Sequence, residues 1–149
     1  MLRGIGLVLV LTLASTTLHA ADLVRKTSPH SVQVTVDRLA SAVQGAGATV
    51  FARIDHAAGA QSVGSELRPT EVLIFGNPKL GTPAMQMAQS AGLDLPLRVV
   101  VFQEEDGTVV LAYHPASDLA ADHGLPADAP VLGKMNGALS KLTDKAVSE

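Results

Sequence analysis

The sequence contains no cysteine and no tryptophan, and its aromatic residues are one tyrosine and three phenylalanines. Absence of a thiol excludes disulfides, thiolate metal centres, thiol catalysis and a lipidated cysteine anchor. Charge is also sparse. Asp, Glu, Lys and Arg make up 17% of the chain, the formal net charge is −3, and the 11 basic residues form no cluster of the kind that grips a phosphate backbone. Nucleic acid is therefore not an expected partner. Internal repeats, low-complexity tracts and a Pro/Gly-rich linker are missing too. At 149 residues, the chain has room for one domain.

What is present begins with Met1-Leu2-Arg3, an apolar run from Ile5 to Ala14, and a more polar tract ending in small residues at Ala20. This order is that of a signal peptide over residues 1–20, with cleavage after Ala20 or Ala21. The run is about half the roughly 20 apolar residues that a membrane-crossing helix needs, so no membrane attachment is expected after cleavage. Residues 21–149 are then expected as a single exported domain, periplasmic or secreted from a bacterium. A chain without thiols suits an oxidising compartment.

Periodicity divides that domain into elements. Leu23 to Thr27 reads as a short strand, and Ser31 as the cap of a helix whose stripe is Val32, Val36, Leu39, Ala40 and Val43, stopped by Gly45 and Gly47. Thr49 to His56 alternates as a strand, with Val50, Ala52 and Ile54 on one face and Phe51, Arg53 and Asp55 on the other. Glu71 to Phe75 is a further strand, broken by Gly76-Asn77-Pro78, after which Thr82 and Pro83 read as the cap and first residue of a helix closing near Gly92. Leu97 to Glu104 and Thr108 to His114 flank Asp106-Gly107, the signature of a two-residue hairpin turn, which predicts Phe102 opposite Leu111 and Val100 opposite Tyr113. Ser117 to His123 reads as a short helix, and Asp128 as the cap of a last one carrying Leu132, Met135, Leu139 and Leu142. The order β-α-β-β-β-β-α implies an α+β fold, an antiparallel sheet with its helices on one face. Both faces of the hairpin are apolar, so a homodimer through the uncovered sheet face is expected.

Several stretches are specific enough to identify a relationship: Phe51-Ala-Arg-Ile-Asp-His-Ala-Ala-Gly-Ala60, Leu67-Arg-Pro-Thr70, Phe75-Gly-Asn-Pro-Lys-Leu-Gly-Thr-Pro83 and Gly92-Leu-Asp-Leu-Pro-Leu97. Through them the chain, from about Thr35 to Leu125, resembles the bacterial family known as domain of unknown function 302. The resemblance implies a sheet with two main helices, similar in topology to one repeat of the TATA-binding protein. It implies no DNA binding, because fold and function separate readily, and it names no activity. One departure is Ala84 before Met85, where the family helix usually opens with Leu then Met.

Within these stretches, Asp55-His56 pairs a carboxylate with an imidazole, a combination that serves as a general base with its orienting partner or as two metal ligands. Neighbours in a strand point apart, so the pair converges only if the strand ends or bulges between them. The structural alternative is that Asp55 caps the next turn and His56 fills a half-buried position. Gly76-Asn77-Pro78-Lys79 with Gly81-Thr82-Pro83 is a strand-to-helix loop where free amides and Lys79 suit an anionic group; a tight turn with an ordinary cap is the alternative. Met85-Gln86-Met87 resembles thioether copper sites, but residues two apart on a helix diverge. His56, Met85 and His114 are therefore weak metal candidates. Ser62 sits in a poor match to a nucleophile elbow, and structural roles suffice for His30, His114 and Asp122-His123.

The leading expectation is a dimeric, non-catalytic binding module that holds a small ligand or ion between the Asp55-His56 strand end and the Asn77 to Thr82 loop, with Asp55, His56, Asn77, Lys79 and Thr82 as contacts. A small-substrate enzyme with His56 as base and Asp55 as orienter, and a purely structural or interaction domain, are the alternatives. No cofactor is specified.

Overall fold

The computed structural model describes residues 23–149; the expected leader lies outside them. Five strands form one antiparallel sheet in the order β1-β5-β4-β3-β2. They are β1 (Val24–Ser28), β2 (Thr49–Asp55), β3 (Thr70–Gly76), β4 (Leu97–Gln103) and β5 (Val109–Tyr113). The helices are α1 (Val32–Gly45), α2 (His56–Ser62), α3 (Pro78–Met87), α4 (Asp118–His123) and α5 (Pro130–Val147), with a 3-10 turn at Gln89–Leu93. The architecture is the expected α+β one.

Two helices dominate one sheet face. Ser31 caps α1 by accepting from the Val34 amide at 3.3 Å, and the helix buries Val32, Val36, Leu39 and Val43 against Leu73, Phe75, Val99, Val101 and Leu111. Leu139 and Ala146 of α5 join the same core. Each such Val or Leu contributes roughly 1.5–3 kcal/mol by leaving water. A second core joins Ala84 and Ala91 to Leu119, Leu132 and Met135, so the small Ala84 is fully buried. α5 begins at Pro130 after Ala129, not under an Asp128 cap, because proline with its fixed φ already suits the first helical position.

Two strand expectations need correction. The hairpin loop has three residues: the Gly107 amide donates to the Glu104 carbonyl at 3.1 Å, the Glu104 amide donates to the Thr108 carbonyl at 2.8 Å, and Gly107 adopts φ +88°. This turn with a left-handed glycine slips the register by one, pairing Phe102 with Val110 and Val100 with Ala112. In β2 the register shifts between Val50 and Ala52, so Phe51 is a bulge. Beyond it the faces exchange: Arg53 opposes Leu73 and Asp55 opposes Glu71 on the helix side, whereas Ala52 and Ile54 turn to the open face.

The bulge thereby aims Arg53 at two carboxylates, Glu71 beside it and Asp37 on α1. Glu71 is buried, and the guanidinium is held above its usual pKa first by the hydrogen bond to Glu71. Arg53→Ala leaves the Glu71 carboxylate without its partner, and loss of about 2 kcal/mol is expected in urea unfolding. Asp37→Ala, which removes the more exposed partner, costs less than half of that.

Candidate functional site

The β2–β3 ladder decides whether the predicted residues meet. Thr49 pairs with Gly76 and Asp55 with Glu71, so the Asp55-His56 tip and the Asn77 tip lie at opposite ends of the ladder, roughly 20 Å apart at about 3.4 Å per residue. The expected hollow between them is not formed. At the first tip the strand does end between the pair, but Asp55 turns its Oδ1 to the Ala58 amide at 2.9 Å as the cap of α2. His56 is exposed rather than half-buried. Asp55 lines a shallow polar hollow with Ser31, Gln33, Thr70 and Glu71, and Ser62 closes α2 by donating to the Gly59 carbonyl at 2.6 Å.

At the second tip Asn77, not Thr82, caps the helix. Its backbone is extended, and its Oδ1 accepts from the Lys79 amide at 2.9 Å with Pro78 in the first turn. Two cap-proline pairs compete in this stretch, and the one adjoining the strand end wins. Pro83 then lies inside α3, where it forgoes a bond to the Lys79 carbonyl, a group on an exposed residue that water can satisfy.

Beside this cap is a cavity of about 190 Å³ whose walls are mostly apolar: Phe51, Leu80, Met85, Leu95, Pro96 and Met135, with Asn77 and Thr82 at the polar edge. Gly76 lets the strand end and Pro96 approach closely there, since a Cβ would stand 3.3 Å from the Pro96 Cβ. Three expected residues, Asn77, Thr82 and Met85, thus share one hollow; Lys79 is exposed and outside its lining. Met85 and Met87 diverge as the helical spacing requires, and Met87 is 51% exposed. His114 lines a different cavity of about 150 Å³, where Asp94, Arg98, Asp118 and Asp122 stand among the apolar Leu97, Pro115, Ala116 and Leu119. His56, Met85 and His114 therefore form no common site, and among the described residues no group of three or more His, Asp or Glu is placed to hold a metal.

Sequence reasoning missed one polar constellation. His123 is only 7% exposed at its side chain. Its Nε2 meets Asp94 Oδ2 at 2.7 Å and its Nδ1 meets Ser90 Oγ at 3.1 Å. Arg98 donates to the other Asp94 oxygen at 2.9 Å. The bond to His123 holds the Asp94 carboxyl below its ordinary pKa. A lone histidine at a helix end gave no sign of partners 29 and 33 residues earlier.

The family model described as "Domain of unknown function DUF302" matches residues 24–142. The chain belongs to the DUF302 family. It is 41% identical over 119 residues to "Fluoride-specific ion channel FluC 1" of Brucella suis biovar 1, covering 78% of this chain and 47% of that one. "Fluoride-specific ion channel FluC 1" of Brucella abortus matches at the same identity over 44% of its length. This DUF302 chain thus spans less than half the length of the curated relatives it matches. The crystal structure of an uncharacterized conserved DUF302 protein from Bacillus stearothermophilus superposes with a TM-score of 0.75 at 20% identity, over 83% of this chain and 97% of that one. That likeness shows the shared fold.

Because Asp94 has a depressed pKa in the folded state, its contribution to stability is present above the ordinary carboxylate pKa and is lost as pH falls through the lower folded value. Asp94→Asn is expected to lower Tm at pH 7, with the difference from the native chain shrinking below about pH 4. Thermal melts from pH 7 to pH 3 check it; a difference that widens on acidification would count against the linkage.

Proposed function

We propose that this DUF302 domain is an exported binding module whose ligand is small and largely apolar, seated in the hollow between the β2 bulge and α3. The single observation that supports this is the cavity itself. The hollow is open on one side, measures about 190 Å³ and has a polar edge limited to Asn77 and Thr82, enough room for a group the size of benzene, which a closed apolar cavity of about 150 Å³ admits. A ring or a short aliphatic chain fits such walls; a bare ion would lack ligands there. Asn77 and Thr82 then orient a polar end group, while catalysis by Asp55 and His56 has no geometry behind it.

The curated relatives favour a second reading. An ion channel must cross a membrane, yet no helix among the described residues is long and apolar enough to do so. In this reading the channel-forming part of those relatives lies in their unmatched portion, with the DUF302 part as an attached module. Under this reading the present chain serves beside a membrane transport protein.

Gly81 offers a direct test of the hollow. A Cβ there meets Leu95 and Met85 at 3.9 Å, so the position tolerates a side chain that points into the space. Thermal shift against indole, toluene and hexanoate, with sodium fluoride alongside, is expected to raise Tm with at least one apolar compound. Gly81→Leu is expected to keep or raise the unliganded Tm, since leucine favours helix over glycine by about 0.8 kcal/mol, while abolishing that shift. No shift with any apolar compound would remove the reading, and a shift with fluoride alone would favour the second one.

We also infer a homodimer through the open sheet face. Ile54, Val72, Ile74, Val100 and Phe102 share it, each exposed or half-buried, with no element of the described residues above them. Arg25 lies over the Phe102 ring at 5.4 Å and pairs with Glu104, so the rim carries both signs of charge and complements its own two-fold copy. Light scattering is expected to give a dimer at micromolar concentration, and Ile74→Lys a monomer of unchanged helix content. A monomeric native chain would overturn the inference.

A further inference from the structure

We propose that Ser90, His123 and Asp94 form a hydrolytic site for small esters. Asp94 is fixed by Arg98 at 2.9 Å and accepts from His123 Nε2 at 2.7 Å. An ionised carboxylate can only accept, so this contact places the ring proton on Nε2. The lone pair is then on Nδ1, which faces Ser90 Oγ at 3.1 Å. The serine hydroxyl therefore donates to a ring nitrogen already primed to take its proton. Nucleophile, base and orienter stand in hydrogen-bond sequence, and such sites are recognised by geometry and not by chain order or fold. The ring is used with Asp at Nε2 and Ser at Nδ1, and either nitrogen serves as base once the other bears hydrogen.

Exposure follows the same division of labour. The imidazole is 7% exposed at its side chain, which shields the base from bulk water, whereas Ser90 is exposed and reachable by substrate. An open shelf formed by Thr82, Met85, Gln86 and Gln89 adjoins Ser90 along the chain and shares Thr82 and Met85 with the apolar hollow. Ser90, Asp94 and His123 do not line the apolar hollow proposed for ligand binding, so substitution of any of the three tests this site without altering that hollow.

In the reaction Ser90 Oγ bonds to the ester carbonyl carbon as its proton passes to His123 Nδ1. The carbon–oxygen bond to the alcohol breaks, and the departing alkoxide takes the proton from Nδ1, leaving acyl-Ser90. Water attacks the acyl carbon, giving its proton to Nδ1, and the carboxylic acid leaves as Ser90 regains that proton. Ester and water become acid and alcohol, with no other reactant needed.

The test uses the full described domain. Incubation with a fluorophosphonate probe is expected to give one adduct, located by mass spectrometry on Ser90, together with turnover of p-nitrophenyl acetate. Ser90→Ala removes an exposed hydroxyl, so its Tm is expected near that of the native chain while labelling disappears. His123→Gln and Ser90→Ala are each expected to slow turnover about 100-fold or more. Labelling elsewhere, no labelling, or turnover unchanged in Ser90→Ala would each overturn the proposal. A Tm loss in His123→Gln without any turnover by the native chain would assign the three residues to a purely structural clamp between the 3-10 turn and α4.

Discussion

The packing of α1 and α5 on a single face of the sheet is the constraint from which the other features follow. Their apolar stripes fill the space over β1, β3, β4 and β5, and polar side chains fasten the margins. Lys26 of the edge strand donates to Thr143 at 2.7 Å and to the Ser140 carbonyl at 3.1 Å on α5. Arg38 of α1 donates to the Ala146 and Ser148 carbonyls at the α5 C-terminus at 3.0 and 2.8 Å, meeting acceptors that no helical turn can satisfy. Inside, the buried Thr35 shares a hydrogen bond with Ser28 at 2.7 Å, so its hydroxyl is not left unmet. With one face occupied in this way, chemistry is confined to the sheet's ends, the smaller helices and the opposite face.

Those remaining regions differ in character. The Asn77 end is apolar because β2, α3 and the segment before β4 each deliver a hydrophobic side chain to it, while the cis Leu95–Pro96 peptide lies in its wall. The side facing α4 carries more charge, with Asp94, Arg98, His114, Asp118 and Asp122 around a second cavity that Leu97, Ala116 and Leu119 also line. Asp118 Oδ2 is buried there without a hydrogen bond; His114 Nδ1 at 3.4 Å is close enough for attraction when protonated, but the angle is poor. Two such dissimilar hollows in so small a domain mean that its surface chemistry is local, set by which short element adjoins which strand end.

Much of the frame could be read from residue pattern. The α1 stripe from Val32 to Val43 and the α5 stripe from Leu132 to Leu142 have helical spacing that no strand reproduces, and the Asp106-Gly107 turn marks its hairpin. The register was not legible. A two-residue turn and a three-residue turn ending in left-handed glycine both present Asp-Gly, and only the backbone at Gly107 distinguishes them. The Phe51 bulge was hidden for a similar reason: Val50, Ala52 and Ile54 alternate correctly, and the extra residue appears only against the partner strand. Beside the apolar hollow, Asn77 and Thr82 stood out because glycine, proline and a cap gather in one short stretch, whereas Met85 stood out only as a possible metal ligand and lies in the hollow's wall instead. Ser90, Asp94 and His123 were not, because their meeting depends on how the 3-10 turn docks against α4.

The bulge carries one more implication. A sheet with free edges invites another chain to add a strand, and both edges here discourage it: β2 is kinked at Phe51, and β1 presents Arg25 and Lys26. Strand addition along the rim, and with it fibrous growth, is thereby obstructed.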